Sequence, residues 1–333
     1  MSYRCLAGAA LLLCSLAGFA QDAQTAQVSP GYALAVFANH TLGATTPDAE
    51  IKRAVILVHG VRRNAGDYFA TGEQLLAAAH WSTADTLLLA PGFFTARDRP
   101  TDTALPLWDS RWMQGRPSVQ GQVGITPLRA LDDLLAWLGD AKRYPALKQI
   151  MLIGHSAGGQ LVQRHAVFSS AEQRLAAQGI ELRYVISSPS SYLYFDDRRP
   201  VGSSFNEDAV AHCPEVNHYR YGLEALPSYL AAQPLDAHEL YRHYANAPIT
   251  YLVGEQDNDP NHPLLDKSCA AQAQGHNRLE RQRQYLAYEH LLGREWHAPA
   301  RHVQAQVPGA GHSAKAIYTS PVAIKLMEAN APR

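Results

Sequence analysis

Short, uninterrupted apolar runs recur along this chain with amphipathic stretches between them, and that alternation limits the possible folds more than any other feature. Ala54-Val55-Ile56-Leu57-Val58, Thr86-Leu87-Leu88-Leu89-Ala90, Ile150-Met151-Leu152-Ile153, Tyr184-Val185-Ile186 and Ile249-Thr250-Tyr251-Leu252-Val253 each read as a strand with no polar face. Such strands must be covered on both sides, which α/β proteins do with crossover helices over a parallel sheet. Tyr32 to Phe37 and Val303 to Val307 add a strand before and after this set. Between the strands, Tyr68, Phe69, Leu75 and Leu76 mark one helix. Thr126-Pro127 supplies an N-cap and a first-position proline for another, with Leu128, Leu131, Leu134, Leu135 and Leu138 on one face. Further helices are expected after Ala157, from Leu279 to Leu292 and from Ala314 to Glu328. The expected architecture is therefore α/β, a mostly parallel central sheet with helices on both faces. Residues 21 to 30 read as loose. Residues 93 to 125 read as a long loop, and about 196 to 247 as a cap insertion over the strand ends.

The run Ile150 to Ile153 leads directly into Gly154-His155-Ser156-Ala157-Gly158-Gly159. Glycines on either side of the x-Ser-x core relieve a turn too tight for Cβ atoms, the pattern of a nucleophile elbow. Such a turn presents the Ser156 hydroxyl at the carboxyl end of its strand, and the following helix aims its N–H groups at the same point. A serine nucleophile needs a base, and a histidine base needs a carboxylate to hold its tautomer. In a doubly wound sheet the carboxyl ends of the strands share one rim, so the partners are sought after other strands. The last two strands end at Gly254-Glu255-Gln256-Asp257 and at Pro308-Gly309-Ala310-Gly311-His312-Ser313.

Serine elbow, then an acid after the next-to-last strand, then a histidine after the last, is an order that resembles the α/β-hydrolases over nearly the whole chain. The resemblance implies Ser156 as nucleophile, Asp257 as orienting acid with Asp259 next in line, and His312 as general base. His59-Gly60, after an earlier strand, resembles the oxyanion loop of esterases and lipases, which implies the N–H groups of Val61 and Ala157 as oxyanion donors. Val61 and Arg62 stand where the Gly-rich version of that loop has glycine. The phrases His59 to Phe69 and Gly154 to Gln160 are also similar to exported hydrolases grouped near the polyester depolymerases. The implied activity is cleavage of carboxylic esters, small or polymeric, through an acyl-enzyme with no metal or organic cofactor. An amidase, peptidase or polymer depolymerase on the same triad is the alternative, and a non-catalytic binding scaffold a more distant one. Trp108, Trp112, Tyr192 and Tyr194 are candidates for an aromatic substrate wall, against the plainer expectation of core. His59 is expected to brace its loop, and Arg62 and Arg63 to pair with Asp67 or meet solvent.

With 333 residues, 47% of them hydrophobic, the chain can bury one large core. Lys and Arg (29) balance Asp and Glu (30) without a basic cluster, so nothing suggests nucleic acid as a partner. Arg4, the apolar run Leu6 to Ala17 and the small residues Gly18 and Ala20 read as a signal peptide over residues 1–20, leaving 21–333 as one domain, secreted or periplasmic. No later stretch approaches the length of an integral membrane segment. Cys5 and Cys14 leave with the signal, so Cys213 and Cys269 remain as a candidate disulfide. His212, His218, His238 and His243 lack helical metal-site spacing.

Overall fold

Alternate residues of each apolar run face opposite ways, and helices cover both sets. The computed structural model describes residues 22–43, 46–98, 100, 102, 104–231 and 236–329, so the signal sequence expected over 1–20 lies outside the described residues. The elements run β1 (Gln24–Ser29), β2 (Tyr32–Ala38), β3 (Arg53–Val58), α1 (Ala65–Ala78), β4 (Thr86–Pro91), α2 (Pro127–Leu138), β5 (Gln149–His155), α3 (Ala157–Phe168), α4 (Ala171–Ala176) and β6 (Glu181–Ser187). They continue β7 (Arg199–Val201), β8 (Ser204–Asn206), α5 (Asp208–His212), α6 (Ser228–Ala231), α7 (Ala237–Asn246), β9 (Ile249–Gly254), α8 (Cys269–Gln272), α9 (Arg278–Glu295), β10 (Val303–Val307), α10 (Ala314–Tyr318) and α11 (Pro321–Ala329).

Eight strands form one sheet in the order β1-β2-β4-β3-β5-β6-β9-β10. All neighbours from β4 to β10 are parallel, while β2 runs antiparallel to β1 and β4. Ile56, Val58, Ile150, Leu152, Tyr184 and Tyr251 meet the helices α2, α3, α7 and α9 on one face. Val55, Leu57, Met151, Ile153, Val185 and Leu252 meet α1, α10 and α11 on the other. At the N-terminus of α2, Thr126 caps as expected, its hydroxyl accepting from the Arg129 N–H at 3.1 Å.

Several segments differ from the sequence reading. Residues 24–29 form the edge strand β1 rather than a loose lead, because Ala26 and Val28 alternate with polar neighbours and bury against the sheet. The last helix is two, because Ser320-Pro321 interrupts it and the Ser320 hydroxyl caps α11 by accepting from the Ala323 N–H at 3.2 Å. Within the segment read as a cap, α7 is the crossover helix between β6 and β9, burying Tyr241, Tyr244 and Ala245. It packs beside α3 instead of over the strand ends. The expected disulfide is present between Cys213 and Cys269, joining the segment after α5 to α8.

Candidate active site

From β3 the chain goes to β4 on one side and later to β5 on the other, so the sheet order reverses between β3 and β5. Ligands in open α/β sheets bind beyond the carboxyl ends at such a point. His59-Gly60-Val61 follows β3 there, and Ser156 follows β5. Ser156 has φ of 57° and ψ of −115°, a sparsely populated conformation held by its N–H donating to the Ser187 carbonyl at 2.9 Å. The turn closes because its glycines allow backbones to touch. A Cβ on Gly154 would lie 2.3 Å from the Gly158 carbonyl oxygen, and one on Gly158 would lie 2.3 Å from that of Val58. Ala157 opens α3, so its N–H has no partner within the helix.

A hydrogen-bond chain runs from this serine. His312 Nε2 lies 3.0 Å from Ser156 Oγ, and His312 Nδ1 lies 2.7 Å from Asp257 Oδ2. With Asp257 ionised, Nδ1–H donates to the carboxylate and Nε2 is left as the acceptor facing the hydroxyl. Burial favours the neutral form of both groups. It lowers the His312 pKa, the hydrogen bond to Asp257 works against that, and the positive charge of Arg278 adds to the lowering. For Asp257, burial is outweighed by His312 and Arg278, and the carboxylate is held below its usual range. Asp259, the other acid considered, is exposed and accepts instead from the Asn261 N–H at 2.8 Å. Glu255 is likewise exposed and accepts from the Gly309 N–H at 3.3 Å.

The loop after β3 is braced from behind. His59 is fully buried; its Nδ1 lies 2.9 Å from the Gly60 carbonyl, and its Nε2 accepts from the Phe93 N–H at 3.0 Å. Burial pushes its pKa down to about 4, which fits a neutral ring bridging one acceptor and one donor. Arg63 reaches back as well, donating to the Val61 carbonyl at 3.0 Å and to both oxygens of Asp98 at 2.6 and 3.0 Å. It therefore pairs with Asp98 and not with Asp67. His155, on the residue before the serine, is buried with Nδ1 3.1 Å from Ser187 Oγ and its ring 4.6 Å from that of His312.

Above Ser156 opens a cleft of about 460 Å³. Its walls are Gly60, Val61 and Arg62, then Asn64, Asp67, Tyr68 and Thr71 of the α1 region, then His262, Pro263 and Leu264, and finally Ser313, Ala314 and Lys315. The expected aromatic wall is not among them. Trp108, Trp112, Tyr192 and Tyr194 are each at most 2% exposed, because large flat side chains bury more apolar area between layers than at a rim. Trp112 stacks on Phe93 at 5.2 Å and meets the His59 ring at 4.7 Å, while Trp108 donates its indole N–H to the Ile125 carbonyl at 2.8 Å. Tyr192 stacks on Tyr285 at 4.4 Å, and Tyr194 packs against Tyr285 and Tyr288. Residues 93–125 and 196–247 contribute nothing to the cleft lining among the described residues.

Sequence reasoning missed Tyr68, His262, Leu264, Lys315 and Arg278, which donates to Asp257 Oδ1 at 3.3 Å. Only Arg278 carried a signal. A cation at a helix N-terminus opposes the macrodipole, and its burial calls for a nearby anion.

The sequence matches no protein-family model, and no curated protein matches it either. Solved structures do resemble it. Poly(aspartic acid) hydrolase-1 from Sphingomonas sp. KT-1 superposes with a TM-score of 0.62 at 21% identity, covering 91% of this chain and 97% of that one. LpqC, a poly(3-hydroxybutyrate) depolymerase from Bordetella parapertussis, does so with a TM-score of 0.61 at 20% identity, covering 93% and 92%. At such identities the likeness concerns architecture. The strand order, the serine turn on β5 and these superpositions make the chain an α/β-hydrolase in fold.

Proposed function

We propose that the protein is a serine hydrolase that cleaves carboxylic esters. The observation that carries the reading is the unbroken chain from Ser156 through His312 to buried Asp257 at the floor of an open cleft. In this reading His312 Nε2 takes the Ser156 proton as Oγ attacks the ester carbonyl. The oxygen of the tetrahedral intermediate is held by the N–H groups of Ala157 and Val61. His312 then returns the proton to the leaving alcohol, and water repeats the sequence on the acyl-enzyme. A fluorophosphonate probe should label the parent and leave Ser156→Ala unlabelled; equal labelling of both would end the assignment.

A polymeric substrate is the second reading, and what favours it is how open the cleft stands among the described residues. Neither long segment, 93–125 or 196–247, lines it among the described residues, so a chain longer than the pocket has room to lie across it. The two superposed proteins are named for polymers, poly(aspartic acid) and poly(3-hydroxybutyrate). Nitrophenyl esters of increasing length, run beside polyester and peptide substrates, separate the readings by which one turns over fastest. Export is part of the proposal. It is supported by the disulfide, which an oxidising compartment maintains, and by the basic, apolar and small residues of the first twenty. Among the described residues no helix is long and apolar enough to cross a membrane. Mass spectrometry of the exported protein should find Gln21 at its N-terminus.

A further inference from the structure

Asp257 has two oxygens, and only one faces His312. The other, Oδ1, accepts from Arg278 Nη1 at 3.3 Å. Arg278 is the first residue of α9 and only 1% exposed. Its second terminal nitrogen, Nη2, donates to the Leu264 carbonyl at 2.8 Å, and the next residue's N–H, from Leu279, donates to the Asp257 carbonyl at 3.1 Å. Leu264, with His262 and Pro263, forms one wall of the cleft. A single buried guanidinium thus spans the acid of the hydrogen-bond chain and one wall of the cleft.

Building on the serine-hydrolase reading, we propose that Arg278 is a positioning residue that orients Asp257 toward His312 and sets the cleft wall at Leu264 in register with it. Rotation of the buried carboxylate about its Cβ–Cγ bond would swing Oδ2 away from His312, and Arg278 Nη1 opposes it by occupying the second oxygen, beside the neighbouring Ser188 hydroxyl. The planar guanidinium suits this task, because its two terminal nitrogens diverge toward two acceptors at once. Its charge has a second consequence. Beside Asp257, a permanent cation offsets part of the carboxylate's pull on the His312 proton, so the histidine releases that proton more readily.

The charged and titratable groups facing His312 are Asp257, Arg278, His262 at 5.1 Å between ring centres and His155 at 4.6 Å. Behind His155 stand Tyr68 and Tyr318, both with pKa values raised by burial and so neutral throughout the working range. His155 is fully buried and its pKa is pushed well below its ordinary value by burial and then by His312. The His262 pKa is lowered by burial and then by the charges of Arg278 and His312, so its titration depends on both, and the test includes a background without it.

The experiment is a pH profile of kcat/KM on a nitrophenyl ester for the parent, Arg278→Met and Arg278→Lys, each also in a His262→Asn background, with Ser156→Ala as control. For Arg278→Met the acid limb should move to higher pH by roughly one unit, the low end of what a nearby charge does, and KM should rise. Arg278→Lys keeps the charge but lacks the planar fork, so its acid limb should stay with the parent while KM still rises. A folded Arg278→Met with the parent's limb and KM would overturn the proposal. If that variant fails to fold, Arg278→Lys decides alone: an unchanged KM, or a limb displaced from the parent's, overturns it. Loss of activity in Ser156→Ala alongside either result shows that only the role of Arg278 has failed; retained activity there means that the serine reading itself is at fault.

Discussion

A histidine that must be neutral to accept a proton works over a wider range when its pKa is low. Burial, opposed by Asp257 and joined by Arg278, lowers that of His312, so the neutral form persists below the ordinary histidine value of about 6.5. The acid limb of kcat/KM should therefore fall below pH 6.5 for a neutral ester; a limb above that value would remove His312 as the base. His59 supports a prediction of a different kind. Its two ring nitrogens are both engaged, one by the Gly60 carbonyl and one by the Phe93 N–H, in a site sealed by Trp112. His59→Leu leaves the Phe93 N–H buried without a partner, at about 1 to 3 kcal/mol, while the Gly60 carbonyl keeps the Arg63 N–H at 3.1 Å. Urea unfolding should show that loss, and kcat should drop with it because Val61 follows directly. A variant of parental stability and kcat would mean that water or a shifted loop replaces the ring.

At the scale of elements, the segments between β6 and α7 and between β9 and α9 hold only short strands and helices, and buried arginines pin them. Arg199 donates to the carbonyls of Asp196, Val216 and Tyr221, Arg164 donates to that of Arg220, and Arg281 donates to those of Gly275, Ser190 and Asp266. The Cys213–Cys269 bridge adds a covalent tie across 56 residues of sequence. In the chain-entropy account, closing a loop of that size contributes about 4 kcal/mol. Replacing both cysteines by serine should lower Tm by roughly 5 to 10 °C and raise KM, because the His262 to Leu264 wall hangs on the same segment. An unchanged Tm would show that the arginine contacts suffice. The strands were legible in the sequence because apolar runs such as Ala54 to Val58 admit few other readings, and the candidate triad was legible because it follows those strands. The cleft walls were not. Tyr68, Leu264 and Lys315 come from loops and helix starts whose approach depends on contacts that no periodicity encodes, including those of the arginines. Trp108 and Trp112 misled for the related reason that a long Pro-rich loop and a buried aromatic bracket look alike from composition.

Across the whole molecule, one polar cluster joins four elements beneath the apolar face of the sheet. Glu289 of α9 accepts from Tyr251 of β9 at 2.7 Å and lies 3.0 Å from His302 Nδ1, just before β10. His302 Nε2 lies 2.8 Å from the Tyr244 carbonyl of α7, and the Tyr244 and Tyr251 hydroxyls are hydrogen-bonded. With both ring nitrogens against acceptors, the charged imidazolium satisfies the site best. Burial opposes the charge, but the Glu289 carboxylate and the Tyr244 carbonyl outweigh it and raise the His302 pKa. A raised histidine pKa contributes stability that is complete below the unfolded value of about 6.5 and is lost as pH rises through the folded value. His59, His155 and His312, whose pKa values are lowered, act with the opposite sign, so the parent's own profile mixes the two. The difference between parent and His302→Gln isolates the cluster, because most of the other terms cancel. Measured by urea unfolding, that difference should be larger at pH 6 than at pH 9. A flat difference would mean that His302 does not change charge over that range and that the cluster adds no pH-dependent hold on β10 beyond its pairing with β9.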